Sequence, residues 1–368
     1  MERRAGGWKR HPAVLLRHAD LKEGAMRTQR GLSLVELMVA MAIGLIISLA
    51  VLQVFISNKN TFLLQGAAGN LQENGRFALQ YLAAELRPAG VGVGVRLDEE
   101  DICVVAAKGD TAEWSAMNRP IWGRRITATG ELGAVGTDQL AIFANDDCES
   151  FLTAGELLKP SLNANLKVTA YCPSMQQDHA VMVQDMEKAV VIRITNKPNS
   201  SGSGQVTLTH AASTNDKNAK CGGFKFSDIE FSSPARVVGF AYRTFYVADT
   251  GRLNSNGQPI RALFVRDAAQ VPAQANEVVE GVESLRTSFG LATHNSVGVQ
   301  TYLSPAEVEA ANRWDDVRTV KIDLLMASNE RVAGAVGQSV QFGGAAVPAD
   351  GRLRQVFSTV VALRNRVD

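Results

Sequence analysis

Residues 32–56 read LSLVELMVAMAIGLIISLAVLQVFI, and Glu36 is the only ionisable side chain among these 25 residues. As a helix rising ~1.5 Å per residue, the run would reach ~38 Å, enough to cross the ~30 Å hydrocarbon core of a bilayer. It is longer than the ~7–15 apolar residues of a secretory signal peptide and it contains a carboxylate, so we predict a membrane anchor. Arg27 and Arg30 precede the run, and their charge predicts a cytoplasmic N-terminal side and a translocated C-terminal body.

Glu36 is the informative residue of this run. A carboxylate in the bilayer centre costs on the order of 2.5–3.5 kcal/mol on insertion scales and usually marks a functional position. Cleavage between Gly31 and Leu32 would create an α-amine four residues before Glu36, about one helical turn away. We expect the carboxylate to pair with that amine, either within the chain or in a neighbouring subunit, where the pair would set the axial register of packed helices. The low dielectric constant strengthens such a pair.

Residues 30–37, RGLSLVEL, resemble the prepilin recognition motif of type IV pilins and type II secretion pseudopilins. The shared features are a basic leader ending in glycine, an apolar first mature residue, and a glutamate four positions later. The resemblance implies that a membrane-embedded prepilin peptidase cuts after Gly31 and methylates the new amine of Leu32, and that Glu36 takes part in subunit docking. Leu32 stands where the family most often has phenylalanine, and it keeps the apolar character.

The leader defined by this cleavage site is residues 1–31. The commonest leaders of the family have only a few residues, so we expect translation to start at Met26 and residues 1–25 to be untranslated. A leader of the full length is the alternative.

The helical pattern continues beyond the membrane run, and the predicted spine covers residues 32–87. Apolar or small residues recur at steps of three and four: Leu64, Ala68, Leu71, Gly75, Ala78, Leu82 and Leu86. Polar residues lie off this stripe: Gln72, Glu73, Arg76 and Gln80. Pro88 ends the pattern because proline cannot continue a helix. We therefore predict that the second half of the helix packs its stripe against a folded body.

After Gly90 the pattern changes to alternation and short apolar runs bounded by turn residues, which predicts antiparallel sheet. The predicted strands are 236–247, 260–266, 317–326 and 355–363, and then, from weaker patterns, 139–143, 166–171, 189–194 and 205–209. Residues 251–257, with Asn254 and Asn256, suit a hairpin turn. The fold class is α+β: a long N-terminal helical spine, like that of a type IV pilin, and a β-rich head at 88–368 with an insertion at about 96–234.

The C-terminal half strengthens the resemblance. Four segments resemble PilW-type minor pilins, a group related to the J-type pseudopilins of type II secretion: 240–247, 279–285, 314–325 and 352–366. The resemblance covers residues 26–90 and about 236–368 and is absent between them. The PilW family is preferred because the body is longer than expected for a J-type pseudopilin.

This resemblance implies a non-catalytic structural subunit that primes pilus assembly or is incorporated into the pilus. The implied partners are other minor pilins, the major pilin, the prepilin peptidase, the inner-membrane assembly platform and a tip adhesin. The implied location is the bacterial inner membrane, with the head in the periplasm, and the pilus surface after assembly.

The four cysteines, Cys103, Cys148, Cys172 and Cys221, all fall in the translocated body, and an even number in an oxidising compartment predicts two disulfides. Three pairings are possible. We prefer Cys103 with Cys148 and Cys172 with Cys221, which close loops of moderate length. Zinc binding by the cysteines is the alternative, but the sequence has neither a CxxC motif nor clustered histidines. We therefore expect no metal and no other cofactor.

The charge distribution argues against nucleic-acid binding. The chain has a formal charge of +1, but residues 1–31 contain eight Lys or Arg and three Asp or Glu. The remainder therefore has 30 basic and 34 acidic residues, a net charge of −4, and lacks a clustered basic surface.

The sequence gives little indication of an enzyme active site. We recognise no nucleophile, base and orienting residue that the sequence would bring together. The acidic run DEED at 98–101 does not follow the alternating oxygen-ligand spacing of a calcium loop. Two alternatives to a minor pilin remain: a type II secretion pseudopilin with the same anchor, and a tethered periplasmic enzyme or binding domain formed by the insertion.

Overall fold

The structure is a computed structural model. It describes residues 31, 33–89, 98–106, 117–153, 165–200, 204–216, 220–221, 224–232, 234–270, 273–292 and 298–364. The predicted leader before Gly31, including the predicted start Met26, and the predicted first mature residue Leu32 lie outside the described residues. The chain divides into two compact units, one ending at Ser57 and the other beginning at Asn58.

Helix α1 (Leu34–Leu86) begins in the first unit and ends in the second. It confirms the long N-terminal helix of the predicted fold class, and it lies within the range 32–87 predicted for the spine. Among the described residues it is the one helix long and apolar enough to cross a membrane. The helix ends at a turn formed by Arg87, Pro88 and Ala89, as the proline predicted.

The second unit is rich in β-strands. Its strands are, in chain order, β1 (Ile102–Val104), β2 (Ile121–Arg125), β3 (Asp138–Phe151), β4 (Asn165–Val168), β5 (Ala180–Gln184), β6 (Ala189–Arg193), β7 (Asn199–Ser200), β8 (Val206–Thr209), β9 (Lys220–Cys221), β10 (Phe224–Lys225), β11 (Arg236–Leu253), β12 (Pro259–Asp267), β13 (Ala275–Glu280), β14 (Val282–Leu291), β15 (Thr301–Leu303), β16 (Val317–Arg331), β17 (Val340–Phe342), β18 (Ala345–Val347) and β19 (Arg352–Ala362). A short helix, α2 (Pro305–Ala311), lies between β15 and β16.

The larger sheet is organised around the long strand β11. One edge of β11 pairs with β3, which pairs in turn with β2. The other edge pairs first with β5 and further along with β12, so the sheet runs β1-β6-β5-β11-β12-β13. All of these pairs are antiparallel except β1 with β6. The turn between β11 and β12 is the predicted hairpin, in which the Asn254 carboxamide oxygen accepts the Asn256 and Gln258 N–H groups.

A second sheet, β15-β14-β16-β19, shares the main core with α1. The helix contributes the predicted stripe, of which Leu71, Gly75, Ala78, Leu82 and Leu86 are buried. Facing residues come from β2, β3, β11 to β14, β16 and β19. The off-stripe residues Gln72, Glu73, Arg76 and Gln80 are exposed. The helical periodicity therefore identified the buried face of α1 correctly.

The insertion forms its own packed region in the same unit. A separate core contains residues from β1, β4, β5, β6, β8 and β9, and a small sheet runs β4-β8-β7. A disulfide joins Cys103 on β1 to Cys221 on β9, with their Cα atoms 4.5 Å apart. The preferred pairing of Cys103 with Cys148 and of Cys172 with Cys221 was therefore wrong. Cys172 is also disulfide-bonded, whereas the Cys148 side chain lies outside the described residues.

Candidate assembly surface

The start of α1 is held by Ser33. The Ser33 hydroxyl oxygen accepts the Glu36 N–H at 3.1 Å, and the Ser33 carbonyl accepts the Leu37 N–H at 3.1 Å. Ser33 is thus the N-cap of the helix, and Glu36 occupies the third helical position. The sequence analysis missed this role, although Ser-x-x-Glu before an apolar run is the recognised signature of such a cap.

Of the predicted processing residues, Gly31 precedes this cap and Glu36 lies in the first turn of α1. Leu32 lies outside the described residues, so the structure gives no contact between it and Glu36. Both processing positions and the docking role of Glu36 therefore stay predictions.

The first half of α1 is apolar on every side. All residues from Leu34 to Ser57 are exposed in the structure, and Leu34 itself is 75% exposed. A helix that is hydrophobic all round is stable in a lipid environment or among other apolar helices, and unfavourable in water. This half of α1 therefore needs a partner environment that the described chain does not supply.

The second half of α1 is fixed to the head at closely packed positions. A Cβ atom placed on Gly75 would lie 2.6 Å from the ring of Phe357 on β19, so only glycine allows this approach. Tyr81 meets Phe245 of β11 edge to face, with ring centroids 6.3 Å apart. Glu85 forms an ion pair with Arg243 of β11. Burial raises the pKa of the Tyr81 hydroxyl, and the Glu85 charge adds to the effect.

A groove of about 580 Å³ lies between α1 and the end of β16. On the helix side it is lined by residues that include Phe62, Leu63 and Gly66, and on the other by residues of β16 such as Met326 and Glu330. Phe62 is 75% exposed. The helix therefore presents apolar side chains beyond its membrane-length segment, at the point where it first meets the head.

A cluster of four charged residues connects β14 to β19. Arg354 on β19 donates from Nε to Glu283 on β14 at 2.5 Å, and from Nη1 to Asp350 at 2.8 Å. Arg352 binds the same two carboxylates at 2.5 and 2.8 Å. Burial alone would raise the pKa of Glu283, but hydrogen bonds and charge from the two arginines outweigh it and hold the pKa below its usual value. The pKa of Asp350 is lowered in the same way, and that of Arg354 is raised.

The acidic run at 98–101 has a structural explanation. The Asp98 N–H donates to the Asp101 carboxylate at 3.0 Å, and Glu99 pairs with Arg119 at 3.0 Å. Among the described residues, no three His, Cys, Asp or Glu side chains are arranged to hold a metal ion.

Two family models match the chain. Residues 244–365 match the model described as Type IV Pilus-assembly protein W, and residues 26–52 match the Prokaryotic N-terminal methylation motif. The chain matches the PilW family of type IV pilins. No curated protein and no solved structure matches it.

The two matches fall on the two parts of the structure described above. The PilW match begins within β11, ends beyond β19 and contains the whole β15-β14-β16-β19 sheet. The methylation-motif match covers Gly31, Glu36 and the first turns of the exposed apolar helix. The insertion lies outside both matches. The two matches support a type IV pilus-related pilin with an N-terminal apolar helix, and pilin families of this type are structural.

Proposed function

We propose that this chain is a minor pilin that primes the assembly of type IV pili or is built into them. The single observation that supports this best is the continuity of α1. Its exposed apolar half starts at the methylation motif, and its other half packs on the PilW-type sheet. An anchor and a folded head on one continuous helix suit a subunit that moves from a membrane into a bundle of similar helices.

In this proposal, processing creates the charge that assembly uses. The prepilin peptidase cuts between Gly31 and Leu32 and methylates the Leu32 amine. The amine carries a positive charge near the Glu36 carboxylate, in a medium where opposite charges attract strongly. A Glu36 that pairs with the Leu32 amine of a neighbouring subunit would stabilise one axial register of the two helices over all others, because any other register leaves a charge unpaired in an apolar environment.

The partners follow from the same argument. The exposed half of α1 would pack against the helices of other minor pilins and the major pilin, after handling by the peptidase and the inner-membrane assembly platform. Before assembly the head would lie in the periplasm, and afterwards on the pilus surface, where a tip adhesin is a further partner. The PilW match supports the pilus over a type II secretion system, which uses the same N-terminal motif.

Replacement of Glu36 tests the proposal. The Glu36→Ala variant should be cleaved normally and accumulate in the membrane, but the number of pili per cell should fall at least ~10-fold, as expected for loss of a buried ion pair. Glu73→Ala is a matched control, since Glu73 is an exposed glutamate on the same helix. Pili counted by electron microscopy at normal numbers in the Glu36→Ala strain would contradict the proposal.

A further inference from the structure

The outer edge of β19 can be read from its hydrogen bonds. The Leu363 N–H donates inwards to the Arg318 carbonyl of β16 at 2.9 Å. At the other end of the strand, both backbone groups of Arg354 point outwards and bond to the carboxamide of Gln338, each at 2.9 Å. Since a strand alternates with a period of two, the backbone groups of Val356, Ser358 and Val360 also point away from β16.

The outward backbone groups of β19 form a row that is hydrogen-bonded at both ends and, among the described residues, unpaired between them. Gln338 occupies the Arg354 end, and the Arg87 carbonyl accepts the Arg364 N–H at 3.2 Å at the other. Between these points no described residue bonds to the outward N–H and C=O groups of Val356, Ser358 or Val360. Three donors and three acceptors therefore line the edge from Val356 to Val360, five residues long.

Three other edge strands of the described head, β1, β13 and β15, are protected in ways that β19 is not. Strands β1 and β15 have three residues each. Strand β13 carries Glu277 and Glu280, which pair with Arg252 at 2.6 and 3.1 Å. Short length and charge are usual means of preventing strand addition. By contrast, β19 has no charged residue between Arg354 and Arg364, and three of the residues between them are valines.

The chemistry of the edge specifies what can occupy it. An extended strand can pair with outward N–H and C=O groups at alternate residues. Every second side chain of the incoming strand would lie beside Val360, which is 52% exposed, so apolar side chains fit there. Arg87 and Arg364 are exposed at one end of the row. An acidic side chain or a terminal carboxylate of the incoming strand would complement their charge.

We propose that β19 accepts an extended strand from a different protein of the pilus, an uncharged and β-branched segment with an acidic group near Arg87 and Arg364. This rests on the proposed function, since it places the contact within a pilus assembly. A second copy of the chain fits less well. Antiparallel pairing of two identical edges would reverse the direction of the second copy's α1, whereas subunits anchored in one membrane share one direction.

Hydrogen–deuterium exchange of the full-length protein tests the proposal directly. The amides of Val356, Ser358 and Val360 should exchange quickly in the purified chain and at least ~10-fold more slowly in the complex purified with the other pilus subunits. Equal rates in both samples would overturn the proposal. So would slow exchange in the purified chain alone, because the edge would then already be covered.

A pair of variants adds a functional readout. Val360→Pro removes an outward N–H and leaves the ladder to β16 intact, whereas Val360→Thr keeps the N–H and the β-branched shape. We expect equal unfolding temperatures for the two proteins, and ~10-fold fewer pili with the proline variant alone. Normal numbers of pili with Val360→Pro, in a strain in which Glu36→Ala abolishes pili, would overturn the proposal for the β19 edge. The proposed function would be unaffected by that result. If the purified chain is a dimer and Val360→Pro dissociates it, the β19 edge pairs with a second copy of the chain, and the proposal of a different partner is overturned.

Discussion

Glu36 lies at the third position of a helix whose other first-turn side chains are apolar. An anion there interacts favourably with the N-terminal end of the helix dipole, and Ser33 satisfies the Glu36 N–H. These two local effects reduce the cost of holding a carboxylate in an apolar medium. They do not neutralise the charge, so we still expect Glu36 to need the amine that the proposed cleavage would create.

Gly31 is the residue at which the processing prediction is most easily tested. A bulky side chain before the scissile bond should prevent cleavage, so Gly31→Phe should accumulate with its basic leader and give few or no pili. The mobility and mass of the membrane-bound protein report this directly. Gly44→Phe is the control, because Gly44 has nothing within 4 Å and lies well inside the apolar helix. Normal maturation of Gly31→Phe would place the cleavage site elsewhere.

At the scale of elements, α1 contains glycines in two different environments. Gly75 is pressed against Phe357, whereas Gly69 has nothing within 4 Å. Gly75→Val should therefore destabilise the head by about 1–3 kcal/mol through overpacking. Gly69→Val should be neutral or slightly stabilising, since valine has the higher helix propensity. Urea unfolding followed by circular dichroism would measure both, and equal stabilities would contradict the packing assigned to Gly75.

The elements differ in how well the sequence predicted them. Helix α1 was predicted almost to its ends, because an apolar run and a regular stripe need no knowledge of distant residues. The predicted strands at 236–247 and 317–326 correspond to β11 and β16, and both extend further. Strand β14 was not predicted: its Glu283 and Arg286 break the apolar alternation, and Glu283 is tolerated only because the distant Arg352 and Arg354 bind it.

The disulfide shows the same limit more sharply. Cys103 on β1 meets Cys221 on β9, 118 residues further along the chain, and the same strand β1 pairs in parallel with β6. Loop length, on which the preferred pairing was based, carries no information about such a crossover. By contrast, the capping box at Ser304 and Glu307 that starts α2 was visible in the sequence and was missed.

At the scale of the whole molecule, the two sheets are tied together by buried polar groups as well as by the core. The Asp138 carboxylate on β3 accepts the Thr287 N–H of β14 at 2.8 Å and pairs with Arg125 at 2.9 Å. Burial raises the pKa of this carboxyl, although the hydrogen bonds and the Arg125 charge oppose the rise. The charged cluster around Arg354, by contrast, lies within the second sheet, where it connects β14 to β19.

That cluster predicts how the stability of the head depends on pH. The pKa values of Glu283 and Asp350 are lowered in the folded protein, so their contribution is present above the unfolded values of about 4.3 and 3.9 and is lost as the pH falls below them. Arg354→Gln should cost about 3 kcal/mol at pH 7, because it leaves two carboxylates without their main partner. The loss should shrink towards pH 3, where the carboxylates become protonated in the unfolded chain.

Arg252→Gln is the control for that experiment. Arg252 also binds two glutamates, but its side chain is exposed, so the substitution should leave the free energy of unfolding nearly unchanged. Urea unfolding at pH 7 and pH 3 distinguishes the two variants. A loss in Arg354→Gln that is the same at both pH values would indicate that packing, and not charge, explains the cluster.

The central claim is that proteolysis after Gly31 supplies the positive partner for Glu36, and the mass of the mature N-terminus tests it most directly. Mass spectrometry of the protein purified from cells that contain the prepilin peptidase should give an N-terminal peptide that begins at Leu32 and carries one methyl group. A protein that retains residues before Leu32 under the same conditions would contradict the account.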